Sequence, residues 1–225
     1  MSVPHPLMRV LGWVVPGVSR VAAQKQPYAD AWRESNERAL RADGPLWAVL
    51  GDSMSQGIGA ASIRGGWVGQ LSETLAESGK PVRVVNLSRT GAGIGDVLGE
   101  QMPRLRELPV APAIVTVLAG ANDMVRPRRR PAAVAGFARL LADLPDTAVV
   151  ATLFHENRWA HEINALIDAA EAGGAIATAE LRGPALGPVR GSLAADWFHP
   201  NERGYATIAN LFRGPVERVL SRRPA

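Results

Sequence analysis

Five short runs of almost wholly apolar residues, rich in valine, leucine and isoleucine, recur along the chain at Leu46–Leu50, Val82–Leu87, Ala113–Leu118, Thr147–Leu153 and Ala175–Ala179. Runs this short that are apolar at successive positions suit strands buried on both faces, as in a parallel sheet covered by helices. The stretches between them have helical period: Trp159, Ile163, Leu166, Ile167 and Ala170 recur at a spacing of three or four, and WVGQLSETLAESGK (Trp67 to Lys80) closes on a Gly-Lys stop signal. Alternating strands and amphipathic helices predict βαβ units, and hence a three-layer α/β/α sandwich around a parallel sheet of about five strands. The last helical stretch runs from Tyr205 through Phe212 to Leu220, with Gly214-Pro215 expected to break or kink it.

The punctuation Gly44-Pro45 before the first run divides the chain into an N-terminal appendage, residues 1–44, and a domain, residues 45–225. A helix is expected in the appendage around Tyr28–Leu40. Its first part holds an apolar segment from Val10 to Val18, preceded by Arg9 and interrupted by Gly12 and Pro16. That is shorter than the roughly 20 apolar residues of a membrane span and lacks a convincing cleavage site. Packing on the domain is the default expectation; the sharper one rests Leu7, Val10, Leu11, Trp13 and Val14 on a lipid surface as a peripheral contact. Cysteine is absent, which excludes disulfides and thiolate chemistry and fits a cytoplasmic, reducing location. The net charge of +4 comes mostly from arginine, much of it at Arg126, Arg128, Arg129 and Arg130 and in the C-terminal tail. No aromatic residues or nucleic-acid motif accompany these arginines, so no nucleic-acid partner is expected, and a solvated loop is the default reading of the cluster.

In an open parallel sheet, ligands bind outside the carboxyl ends of the strands. Three loops fall there: GDSMS after the first run, NLSRTGAG (Asn86 to Gly93) after the second and GANDM (Gly120 to Met124) after the third. Together they carry a serine hydroxyl at Ser53, glycine N–H groups and the amide of Asn122, the groups that acyl transfer needs for attack and for oxyanion stabilisation. A base is still required. His5 lies in the appendage, and His155 and His161 lie in or near an amphipathic helix, where solvated positions are expected. His199, in DWFHPNERGY, has Asp196 three residues before it, a carboxylate able to fix one imidazole tautomer.

Taken singly, each motif has a structural explanation: a glycine-rich turn, an Asx-type loop, a helix cap. Taken in order, they resemble the SGNH or GDSL hydrolases through Gly51-Asp52-Ser53, then Asn86, Ser88 and Gly91, then Gly120, Asn122 and Asp123, and finally Asp196 and His199. The resemblance covers roughly residues 46 to 213. It implies a flavodoxin-like SGNH-hydrolase fold and an esterase or lipase acting on a small-molecule or lipid ester. Ser53 would be the nucleophile, His199 the base and Asp196 its orienting carboxylate. Ser53 and Gly91 N–H groups and the Asn122 amide would form the oxyanion hole, with Asp52 and Asp123 bracing loop backbone, and no metal or cofactor is implied. An O-acyltransferase with the same triad and a silent lipid- or glycan-binding module are the alternatives. The nucleophile elbow Gly-x-Ser-x-Gly fails because Ser55 stands where its last glycine belongs, and GAGIG fails as a dinucleotide loop because Asp96 replaces the third glycine.

Overall fold

The computed structural model describes residues 16–186 and 190–222. The apolar residues Leu7, Val10, Leu11, Trp13 and Val14, and His5, lie outside the described residues. The chain runs α1 (Pro16–Ala22), α2 (Lys25–Arg41), β1 (Leu46–Gly51), α3 (Ser53–Gln56), α4 (Trp67–Glu77), β2 (Arg83–Asn86) and α5 (Ile94–Asp96). A π turn, Val97–Gln101, leads into α6 (Met102–Arg106), then β3 (Ile114–Leu118), α7 (Ala121–Met124), α8 (Arg130–Asp143), β4 (Ala148–Ala151), α9 (Arg158–Ala172), β5 (Ala177–Ala179) and α10 (Glu202–Ser221). Each apolar run forms a strand at or within a residue or two of its expected bounds.

The five strands form one parallel sheet in the order β2-β1-β3-β4-β5. Because successive side chains on a strand point to opposite faces, β1 divides its residues between two cores. Ala48 and Leu50 join Val115, Val117 and Val150 under Phe137 and Leu140 of α8 and Ile163 and Ile167 of α9. Trp47 and Val49 join Ile114, Val149 and Ala177 under Trp67 and Leu71 of α4 and Ile208, Phe212 and Val216 of α10. The result is the three-layer α/β/α sandwich. Strand order reverses between β1 and β3, so their carboxyl ends open the crevice expected of such a sheet.

Helix α2 is longer than expected and buries Tyr28, Trp32, Asn36 and Ala39, one stripe at intervals of three and four. Asn36 and Ala39 lie beside β2, an edge strand, whereas Tyr28 packs with Val21 and Ile58. Helix α10 corrects the expectation at Gly214-Pro215, since it continues through Pro215 to Ser221. Proline removes one N–H donor from the ladder, but Pro215, Val216 and Val219 are all buried against the sheet, and that burial offsets the missing bond.

The second core depends on an aromatic stack. Trp67 lies flat on Phe212 with ring centroids 4.3 Å apart, and it tilts against Trp47 at 5.9 Å. Phe212→Ala would open a cavity between two helices that cannot both move inward. A loss of about 3–5 kcal/mol is expected in urea-denaturation free energy.

Candidate active site

The first loop begins at Gly51, whose φ of +149° and surroundings exclude a side chain: a Cβ there would lie 2.2 Å from the Leu118 carbonyl oxygen. Gln101, on the π turn, clamps this residue by both backbone groups. Its Oε1 accepts from the Gly51 N–H and its Nε2 donates to the Gly51 carbonyl, each at 2.8 Å. Asp52 then caps α3, accepting the Met54 N–H on Oδ1 at 3.0 Å. Ser53 is therefore the first residue of a helix, where the N–H has no intrahelical acceptor.

The second loop is held from both sides. Asn36 of α2 donates to the Asn86 carbonyl and accepts from the Asn86 N–H, each at 2.8 Å, and so takes the place of a neighbouring strand at the sheet edge. The Asn86 amide donates to the Ser55 carbonyl at 2.7 Å, while its oxygen accepts from the Ser88 N–H and hydroxyl. Gln56 donates to the Ser88 carbonyl and accepts from the N–H and hydroxyl of Thr90. Trp32 of α2 donates to the Gln56 carbonyl at 3.0 Å. Gly91 follows at φ +80°, the left-handed region that glycine tolerates.

On the third loop, Asn122 lies on α7. Its Nδ2 donates to the Ala92 carbonyl at 3.1 Å and to Asp52 Oδ2 at 3.3 Å, which ties the residues beside Gly91 and Ser53 together. Asp123 accepts the Ile94 N–H at 2.9 Å, a link between the second and third loops. The fourth segment brings His199 against Ser53, with 2.9 Å between Nε2 and Oγ, and against Asp196, with 2.6 Å between Nδ1 and Oδ2. Asp196 can only accept when ionised, so Nδ1 carries the proton and Nε2 is left as the acceptor for the serine hydroxyl. Burial raises the Asp196 carboxyl, but the bond and charge of His199 and the N–H groups of His199 and Phe198 outweigh it and leave its pKa below the ordinary value.

The family model for GDSL-like Lipase/Acylhydrolase proteins matches residues 49–207. The chain belongs to this family. Its fold is similar to that of TesA (23% identity, 78% of this chain and 99% of that one, TM-score 0.62). It is also similar to a Clostridium thermocellum family 3 carbohydrate esterase (18%, 79% and 97%, TM-score 0.64) and to a catalytic mutant of Axe2, an acetylxylan esterase from Geobacillus stearothermophilus (17%, 78% and 95%, TM-score 0.59). No curated protein sequence gives a significant match. The match begins at Val49, so α1 and α2 precede the part of the chain that this GDSL family defines, yet Asn36 and Trp32 of α2 hold two of its loops.

Two histidines differ. His161 is exposed, whereas His155, expected to be solvated, is half-buried, stacks on Phe154 at 4.4 Å and has its Nδ1 buried without a partner. Burial, followed by the charge of Arg130, lowers its pKa. Within the arginine cluster, Arg128 and Arg129 are exposed and Arg130 donates to the Met124 carbonyl at 2.8 Å. Gln56, Gln101 and Asn36 were not singled out from the sequence, and their one signal there is an amide standing among apolar or helical positions. Among the described residues, no group of three or more His, Asp or Glu side chains is placed to hold a metal ion.

Asp52 is 2% exposed, and burial pushes its carboxyl up to about 6, opposed by the Met54 N–H and then by the charge of His199. With the folded value above the unfolded one, the native state holds the extra proton between about pH 4 and pH 6, and the stability this group contributes is lost as pH rises through 6. Asp52→Asn lacks that loss. Its unfolding free energy at pH 7.5 minus that at pH 4.5 should be more positive than the wild-type difference by about 2 kcal/mol in urea titrations. An unchanged difference would show that Asp52 ionises in the native protein as it does in the unfolded chain.

Proposed function

We propose that the protein is a serine hydrolase of carboxylic esters, with Ser53 as nucleophile. The observation that carries this reading is the single imidazole of His199 bridging the Ser53 hydroxyl and the Asp196 carboxylate. As Ser53 Oγ forms a bond to the acyl carbon, its proton passes to His199 Nε2 and the carbonyl π pair moves onto oxygen. Asp196 keeps the ring in the required tautomer and stabilises the imidazolium. Collapse of the tetrahedral intermediate breaks the bond to the alcohol, which takes the proton from Nε2. Water then repeats the sequence on the acyl-serine, again with His199 as base.

The oxyanion would be held by the N–H groups of Ser53 and Gly91 and by the Asn122 amide. The first lies at a helix start, a position suited to developing negative charge. Of the two bonds that Asn122 donates, the one to Asp52 is the longer, at 3.3 Å, and is the one that a stronger acceptor displaces. The gain comes in the transition state, when the carbonyl oxygen becomes an oxyanion. The substrate is a small-molecule or lipid ester, in keeping with the esterases and lipases among the similar folds.

Ser53→Ala should lower kcat about 10⁴-fold or more on an aryl ester while leaving the melting temperature intact. Asn122→Ala should lower kcat by about 10²–10³ with KM little changed. A destabilised but fully active Asn122→Ala would mark that residue as a loop brace alone. Rates on aryl esters of increasing chain length, with and without added sugar or lipid alcohols, separate hydrolysis from acyl transfer.

A further inference from the structure

The turn that brings His199 to Asp196 is closed by several hydrogen bonds. The Trp197 N–H donates to the Ala194 carbonyl, the Ala194 N–H donates to the His199 carbonyl, and Asp196 Oδ1 accepts from both the Phe198 and His199 N–H groups. This geometry forces Trp197 to a φ of +56°, and it is the one non-glycine residue in that region among the described residues. Glycine is the residue such a position favours, because bulky side chains are strained there. A large side chain can be retained at a strained position through burial, but Trp197 is 80% exposed and its neighbour Phe198 is 52% exposed. Neither ring contributes much to the core. Strain that folding does not repay points to a role outside the fold.

The surroundings define that role. Trp197, Leu193, Ala194 and Ala195 line a groove of about 650 Å³ whose other wall is α1, with Arg20 and Arg190 on its margin. Helix α1 sits directly on the turn, since a Cβ at Gly17 would lie 2.2 Å from the Ala195 carbonyl oxygen. Arg203 reaches the same region, its Nη1 3.5 Å from where a side chain at Gly191, which also lines the groove, would stand. All three arginines are exposed, and among the described residues none of them forms a salt bridge.

We infer that Trp197 and Phe198, with Arg20, Arg190 and Arg203 around them, form a docking surface for an anionic lipid bilayer. Indole rings settle at the level of the headgroups, and unpaired arginines beside them are drawn to a negatively charged leaflet. The surface deepens the esterase reading on which it rests, because Trp197 and Phe198 stand between Asp196 and His199 and Phe198 lies edge-on to the His199 ring at 4.9 Å. A bilayer seated there lies against the segment that carries the base.

Vesicle binding is measured by flotation with the full-length Ser53→Ala protein, so that the result does not depend on catalysis. Vesicles of phosphatidylcholine alone are compared with vesicles containing one-third phosphatidylglycerol. The Ser53→Ala protein is expected to float with the anionic vesicles at least five-fold more than with the neutral ones. Adding Trp197→Gly, which relieves the strained φ and so preserves the turn, should reduce that binding about ten-fold. Adding Arg20→Ser and Arg190→Ser together should erase the preference for anionic lipid. Sedimentation of the same proteins without vesicles provides the control. If Trp197→Gly dissolves a dimer and vesicle binding is absent, the surface serves a second copy of the chain and the proposal fails. It fails equally if Trp197→Gly and its parent float alike, or if neither floats.

Discussion

The bidentate clamp of Gln101 on Gly51 is the contact from which the site is built. A sheet that ends at a crevice leaves backbone N–H and C=O groups at its carboxyl edge with no strand beyond to bond them, and buried groups left so are costly. In this chain, primary amides fill the gap. Gln101 holds the end of β1, Asn36 holds the end of β2 from outside the sheet, and Gln56 spans from α3 to the Ser88–Thr90 loop. An amide suits this task because it donates and accepts in one plane and carries no charge to desolvate. The loops thus reach the crevice in fixed positions, and Ser53 meets His199 across 146 residues of chain.

That arrangement explains which parts of the molecule were legible in the sequence. The strands were legible because their apolar runs are continuous, and α9 because its period is regular. The four motifs were legible because glycine, serine, asparagine and the Asp-His pair each do something few other residues can do. The clamps were not. Asn36 and Gln101 are single polar residues on helices, and nothing in a helical period distinguishes an amide facing solvent from one facing a strand end. Pro215 misled for the complementary reason: its local preference opposes a helix, and only the sheet beneath α10 supplies the burial that overrides it. Trp197 carries the opposite lesson, because its unfavourable φ is invisible until Asp196 is seen to accept two N–H groups and tighten the turn.

The same constraints shape the electrostatics of the crevice. Asp196 is kept ionised by the N–H groups and the imidazole around it, whereas Asp52, one residue from Ser53, is pushed towards its neutral form by burial. Two carboxyls close to one serine are thereby held to different roles, one oriented towards the imidazole and the other towards the Asn122 amide and the start of α3. Helix α2 belongs to this system as well, because Trp32 and Asn36 support the loops that carry Ser53 and Gly91, although α2 lies before the segment that the GDSL family defines.

If the acyl group passes through Ser53, the acyl-serine can be trapped during turnover. Wild-type protein mixed with a slowly deacylating aryl ester and quenched in acid during turnover should carry the acyl mass on the tryptic peptide from Ala42 to Arg64, at Ser53. Turnover at full rate with no adduct on that peptide, or with the acyl group on another residue, would show that Ser53 is not the nucleophile.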